Sequence, residues 1–183
     1  LVHISNSHVA VLYERGDVLV LDFETQARLK TTLALEISRF FQSINIPHEV
    51  LDGDVYRAIL SPTAGYTKEE RNEFRNKVLH IAKLLNKHGV SCIFSLISSS
   101  KKVRDNARNE LENYIEIYVK CPIDVCAERD PKDLYRTAIN NKEPNIVGID
   151  IQYEEPDSPE LLIETNKHNI DSCVRKIIDK IEE

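Results

Sequence analysis

The chain has 183 residues, 42% of them apolar and 30% charged, with a net charge of −6. That length suits one domain with a sizeable core, here taken as residues 1–183. The composition excludes a membrane span, because no apolar run is long enough, and the acidic balance argues against binding to a nucleic-acid backbone.

Residues 1–16 read as an N-terminal extension or hairpin without the basic-then-apolar plan of a secretory signal. Four scattered cysteines, Cys92, Cys121, Cys126 and Cys173, complete no zinc pattern. Both features point to a cytoplasmic protein with reduced, buried or half-buried thiols. The first strand is predicted over Asp17–Phe23, a short apolar run. Lys30 to Gln42 follows as a helix, with Leu33, Ile37, Phe40 and Phe41 on one stripe. His48–Asp52 is a second strand that runs into the acidic turn Asp52-Gly53-Asp54. The longest helix is predicted over Lys68 to His88, its apolar face carried by Phe74, Val78, Ile81, Ala82 and Leu85. Gly89 suits the end of that helix and introduces a third strand up to Ile97. A charged helix through Arg104 and Arg108 comes next, then a strand over Tyr114–Lys120 and a short helix opened by Pro122. Residues 129–159, polar and holding Pro131, Pro144 and Pro156, read as a lid or flap. The chain closes with a strand over Glu160–Asn166 and a helix over Asn169 to Glu182.

Strands alternating with helices imply an α/β fold with a mainly parallel, five-stranded sheet covered on both faces. Ligands on such sheets bind beyond the carboxyl ends of the strands. Lys30, Asp52, Asp54, Ser98 and Pro122 all fall just after predicted strands, so they are expected to gather at one rim. Phosphoryl transfer needs charge neutralisation and positioning more than covalent chemistry. At that rim Lys30, at a helix N-terminus, would meet a phosphate, and Thr31 would ligand Mg²⁺. Asp52 and Asp54 would orient an attacking hydroxyl or hold metal-bound water. Arg57, Arg71, Arg75, Arg104 and Arg108 are cations fit to hold a second anionic substrate. Taken singly, an arginine on a helix is more often a solvated group, and Asp-Gly-Asp after a strand is often only a turn. Their convergence is the argument.

Four stretches in order, "LDGDVYR", "GYTKEER", "RDPKDLY" and "GIDIQYEEP", resemble the adenylylsulfate kinase family. The most specific piece is "CPIDVCAERDPKDLY", Cys121–Tyr135, and the similarity runs from about Lys30 to the C-terminus. The resemblance implies a P-loop nucleotide-kinase fold with a lid. It also implies transfer of the ATP γ-phosphate to the ribose 3′-hydroxyl of adenylylsulfate, with Mg²⁺, commonly by a homodimer. By matching positions it implies that Lys30, Thr31 and Thr32 meet ATP phosphates and metal, that Asp52 or Asp54 serves the hydroxyl and the metal, and that Arg129 and Lys132 belong to the adenine contact and the closing lid. Arg57, Tyr66 and Arg71 would hold the acceptor nucleotide, and Ile97 and Ser98 would line the same pocket, with Arg75 nearby.

Three departures qualify what is expected. The family's Gly-Leu-Ser-Gly-x-Gly-Lys-[Ser/Thr] is here Glu24-Thr25-Gln26-Ala27-Arg28-Leu29-Lys30-Thr31. All three glycines are replaced, and placing a non-glycine residue in such a backbone state costs roughly 1–3 kcal/mol. A remodelled loop with weakened ATP binding is therefore expected. The family's Glu-Asn-Ile-Arg after the acceptor arginine is here Glu73-Phe74-Arg75-Asn76, and its flap phenylalanine is here Ile146. This altered pocket suits another acceptor, such as a cytidine diphosphate derivative of the diphosphoramidate kind. The alternative is a catalytically inactive regulatory or dimerisation module built on the same frame.

Overall fold

The computed structural model describes residues 17–23, 29–122, 125 and 151–183. Residues 1–16, the connection 24–28 and residues 129–150 of the predicted lid lie outside the described residues, as do Arg129 and Lys132.

The described elements run in chain order as β1 (Val18–Phe23), α1 (Leu29–Ser43), β2 (His48–Asp52), α2 (Gly53–Leu60), α3 (Lys68–Lys87), β3 (Ser91–Leu96), α4 (Lys101–Glu110), β4 (Tyr114–Lys120), β5 (Leu161–Glu164) and α5 (Ile170–Glu182). The strands form one sheet in the order β2-β3-β1-β4-β5. Each described pairing is parallel, with Val20 opposite Phe94 on one side of β1 and Glu116 on the other. The expected five-stranded parallel sheet is thus observed.

β1 lies at the centre, buried on both faces, which is why it reads as an unbroken apolar run. Its side chains alternate between two cores. Leu19 and Leu21 pack with Leu33, Ile37 and Phe41 of α1 and Ile177 of α5. Val18 and Val20 pack on the other face with Phe74, Val78 and Ala82 of α3. So the helix after β1 covers one face, and the helices before and after β3 cover the other. Connections leaving adjacent strands toward opposite faces open a crevice beyond their carboxyl ends.

Local chemistry sets the element ends. Thr67 and Glu70 form a reciprocal capping box that starts α3, and Gly89, at φ 72°, follows its last turn. Asn169 caps α5 by accepting from the Ser172 amide at 2.9 Å. α2 has no counterpart among the predicted elements. It is only eight residues long, and its apolar stripe, Tyr56 and Leu60, is short and half-buried against the α3 core. Its first residue, Gly53, packs closely on β3: a Cβ there would stand 2.8 Å from Leu96 Cδ2, so that side chain would have to shift. Cys92, Cys121 and Cys173 are buried thiols outside any disulfide, as expected, and burial together with Glu49 pushes the Cys92 thiol up to about 12. Of the short helix predicted after Pro122, only Val125 is described, and it is helical.

Candidate functional site

The rim begins where α1 starts. Lys30 and Thr31 stand in its first turn, directly after the connection from β1. The Thr31 hydroxyl donates to Asp52 Oδ2 at 3.1 Å, so the start of α1 and the end of β2 meet. Asp52 is buried, 7% exposed. Its Oδ1 accepts from the amides of Asp54 at 2.9 Å and Val55 at 3.3 Å, capping α2. Those hydrogen bonds offset the cost of burying a carboxylate. Capping accounts for one oxygen of Asp52; it does not account for the other, which faces Thr31. Asp54, in the first turn of α2, is exposed.

Mg²⁺ prefers oxygen ligands, keeps several waters and usually arrives with substrate phosphates, needing only one or two carboxylates from the protein. A hydroxyl and a carboxylate side by side fit that pattern. Among the described residues no group of three or more His, Cys, Asp or Glu side chains could hold an ion alone. The residues therefore fit a metal that enters with a nucleotide.

A cleft opens next to Asp54, and Arg57, Tyr66, Arg71, Arg75 and Ile97 line it. These are five of the six side chains expected to hold the acceptor. Arg57 donates to the Gly65 carbonyl at 2.9 Å and lies between two rings, 4.7 Å from the centre of Tyr66 and 4.5 Å from that of Phe74. Arg71, buried, donates from Nε to the Tyr66 carbonyl at 2.8 Å and sits 5.5 Å from the same ring. Arg75 bonds the Ile97 carbonyl at 2.9 Å and Asn72 at 3.3 Å, tying α3 to the end of β3. The cleft continues into a groove of about 600 Å³ that shares Arg71 and Arg75 and adds Lys68 and Lys102. Ser98 stands one step aside: it is buried, and its carbonyl accepts from Arg104.

Arg104 and Arg108 correct the sequence reading, which counts them among cations available to a substrate. Arg104 is 3% exposed and pairs through Nε with Glu116 at 3.0 Å. Its other nitrogens donate to the carbonyls of Ser98 and Glu154, and its guanidinium lies 5.3 Å from the Tyr153 ring. Arg108 pairs with Glu116 at 3.0 Å and with Glu160 at 2.5 Å. The Glu160 hydrogen bond leads the causes that push Arg108 above its ordinary value. Burial opposes ionisation of Glu160, but hydrogen bonds from Arg108 and the Glu116 amide hold its carboxyl below the usual range. These arginines are structural because carboxylates from β4 and the approach to β5 reach them. The sequence carries one signal of this, a glutamate inside the apolar strand "YIEIYVK".

The same network explains the "QYEEPD" stretch. The Glu154 amide donates to the Ser99 carbonyl at 2.9 Å, and its carboxylate accepts from the Lys101 amide at 2.7 Å. Tyr153 stacks on Tyr118 with centres 5.8 Å apart, Lys120 pairs with Glu155 at 2.6 Å, and Lys101 pairs with Asp157. Residues 153–157 are thereby fastened to α4 and to the end of β4.

Comparison with known proteins gives a consistent picture. The model of the adenylylsulphate kinase family matches residues 20–164. A probable adenylyl-sulfate kinase of Pyrococcus abyssi is 38% identical over 154 residues, which cover 84% of this chain and 88% of that protein. The adenylyl-sulfate kinase of Synechococcus sp. (strain JA-3-3Ab) is 35% identical over 152 residues, 83% of this chain and 86% of that one. Among solved structures, the Mycobacterium tuberculosis APS kinase in complex with AMPPNP and APS superposes with a TM-score of 0.83 at 28% identity, covering 92% of this chain and 99% of that one.

Proposed function

The chain belongs to the adenylylsulphate kinase family, and on that premise we propose that it is an ATP-dependent kinase acting on the ribose 3′-hydroxyl of a nucleotide-activated acceptor. The observation that carries this reading is the Thr31–Asp52 hydrogen bond, which joins the phosphate-facing start of α1 to the carboxylate beside the arginine-lined cleft. In this reading Lys30 meets the transferred phosphoryl group, and Thr31 and Asp52 would hold Mg²⁺, which would supply charge neutralisation. Asp54 lines the cleft and accepts the proton of the acceptor hydroxyl. That oxygen bonds to the γ-phosphorus, the bond to the bridging oxygen breaks, and ADP leaves. Arg57 and Arg71 hold the acceptor's anionic groups, with Arg75 fixing the Ile97 wall. Thr32, Arg129 and Lys132 complete the ATP contacts and the lid by sequence match alone.

Two acceptors are in play. The family relationship favours adenylylsulfate, whereas Phe74 in place of the family's asparagine favours a cytidine diphosphate derivative such as a diphosphoramidate. The reading carries with it a cytoplasmic homodimer that handles a small nucleotide and no nucleic acid. Glu24, Ala27 and Leu29, where the family has glycines, favour one rival: a module that keeps the frame and has given up transfer.

The test is ADP release from ATP and Mg²⁺ in the presence of adenylylsulfate or the cytidine derivative, with Asp54→Asn as control. Loss of a general base lowers kcat by about 10²- to 10⁴-fold. Turnover that Asp54→Asn leaves intact refutes the assigned roles. Absence of turnover with every acceptor favours the inactive module.

A further inference from the structure

Buried hydroxyls are almost always hydrogen-bonded, because an unpaired one has given up its water contacts for nothing. β3 carries two exceptions. Ser91 and Ser95 are both 0% exposed, and among the described residues neither Oγ has a hydrogen-bond partner. They alternate with Ile93, which packs in the core under α1, so both hydroxyls point to the α1 face. Ser91 stands at the amino end of the strand, opposite His48. Ser95 stands four residues on, about 13 Å nearer the carboxyl rim. There it pairs with Leu21 of β1 on one side and with Asp52 of β2 on the other. Thr31 reaches Asp52 from α1, so the Asp52 carboxylate is on that face as well. The unpaired hydroxyl of Ser95 and the carboxylate of Asp52 are therefore neighbours across two strands.

The two oxygens of Asp52 are held differently. Oδ1 takes two amides of α2, which belong to the frame. Oδ2 takes one hydroxyl, that of Thr31. In the proposed function the Thr31 oxygen would turn to a metal ion, and a buried carboxylate oxygen that loses its donor is costly. A serine hydroxyl swings among three staggered positions, so Ser95 can replace Thr31 without moving the backbone. We propose that Ser95 is a positioning residue, the reserve donor for Asp52: Thr31 donates to Oδ2 in the ion-free protein, and Ser95 donates to it when Thr31 serves the ion. The Ser95 hydroxyl is unpaired in one state because it is used in the other. Ser91 is as deeply buried but stands at the far end of the strand, so it serves as an internal control. This deepens the kinase reading and rests on it for the ion; the exchange of donors at Asp52 belongs to the ion-free protein too.

The experiment uses the full chain and has two arms. The first needs neither nucleotide nor ion: melting temperatures are compared, with a chelator present, for wild type, Ser95→Ala, Thr31→Val and the double variant. Ser95→Ala alone removes an unpaired hydroxyl, so the melting temperature is expected to hold or rise, as it does in Ser91→Ala. In the Thr31→Val background Ser95 is the donor that Asp52 has left. There Ser95→Ala is expected to lower the melting temperature by a further 2–4 °C, roughly the shift of one lost hydrogen bond in a chain of this size. Ser91→Ala in the same background is expected to change nothing. A Ser95 that only fills space gives the same change in both backgrounds; such additivity overturns the proposal and leaves the kinase reading standing. The second arm follows Mn²⁺ binding in the presence of AMP-PNP by electron paramagnetic resonance. Ser95→Ala is expected to weaken Mn²⁺ by about tenfold, the lower end of what loss of a partner behind a metal ligand costs, and Ser91→Ala to leave it unchanged. Wild-type Mn²⁺ affinity in Ser95→Ala overturns the role of Ser95 in the loaded protein. If the wild-type protein binds no Mn²⁺ with the nucleotide, that role falls together with the metal roles of Thr31 and Asp52.

Discussion

Along the carboxyl rim of the sheet, the side formed by α2, α3 and α4 differs in construction from the side formed by β1 and α1. On the first, Arg57, Arg71 and Arg75 are each tied to a backbone carbonyl, at Gly65, Tyr66 and Ile97. Behind them Arg104 joins the Ser98 carbonyl to the Glu154 carbonyl and to buried Glu116. On the second side, Thr31 reaches Asp52, and the connection that would cradle phosphate carries Glu24, Ala27 and Leu29 where the family has glycine. If this side takes the acceptor, as proposed, its arginines are already held in place, and little binding energy is spent on ordering them. Both sides depart from the family's pattern, the first at Phe74 and the second at Glu24, Ala27 and Leu29. The lesson is that different elements hold the two proposed substrate sites, so a change in one need not disturb the other.

The largest expected effect tests how far the acceptor side depends on its buried network. Removing one member of a buried ion pair leaves the other charge uncompensated, at a cost of about 3–5 kcal/mol. Arg104→Gln does this to Glu116 and also strips the Ser98 and Glu154 carbonyls of a donor. Chemical denaturation is expected to show a loss near the lower end of that range, since Arg108 still pairs with Glu116. At temperatures where the variant is folded, acceptor affinity should fall and ATP affinity should not. An equal loss of both would break the comparison.

A smaller effect is expected from the other side. Returning glycine at Glu24, Ala27 and Leu29 restores residues that can enter the backbone states expected of a phosphate-binding loop, which cost roughly 1–3 kcal/mol each for other residues. The triple variant should bind ATP at least about tenfold more tightly, as a gain of only 1.4 kcal/mol already implies. Acceptor affinity should stay within twofold. If ATP affinity does not change, the loop is not what limits the donor site.

These contrasts also show what the sequence carries on its surface. β1 and β3 are central parallel strands, so their continuous apolar runs are unambiguous, and the stripes of α1 and α3 follow from packing on opposite faces. Asp52 and the acceptor arginines are legible because each falls just after a strand or on the helix beside it. α2 is not, since it is only eight residues long and its stripe, Tyr56 and Leu60, is half-buried rather than buried. Arg104 and Arg108 mislead for a different reason. Their partners Glu116 and Glu160 come from β4 and from the approach to β5, and local sequence cannot tell a cation waiting for a substrate from one neutralised by a distant carboxylate.

The smallest effect concerns the loop that presents Tyr66. Glu70 is half-buried, and hydrogen bonds from the Gly65 amide first, then from the Thr67 hydroxyl and amide, hold its carboxyl below the usual range. A carboxyl whose pKa is lower in the folded chain than in the unfolded chain stabilises the fold fully above its unfolded value. That stabilisation is lost as pH falls through the folded value. Wild-type protein should therefore lose urea stability between neutral and acidic pH more steeply than Glu70→Gln, which keeps an acceptor for the cap but cannot titrate. Thr67→Ala removes the other half of the capping box and should cost about 1 kcal/mol. Acid should weaken acceptor binding in the wild type more than in Glu70→Gln, because the Gly65 and Tyr66 carbonyls that pin Arg57 and Arg71 belong to this loop. Matching pH profiles in the two proteins would mean that the arginines are fixed by the rings alone, and the loop would then drop out of the acceptor side's construction.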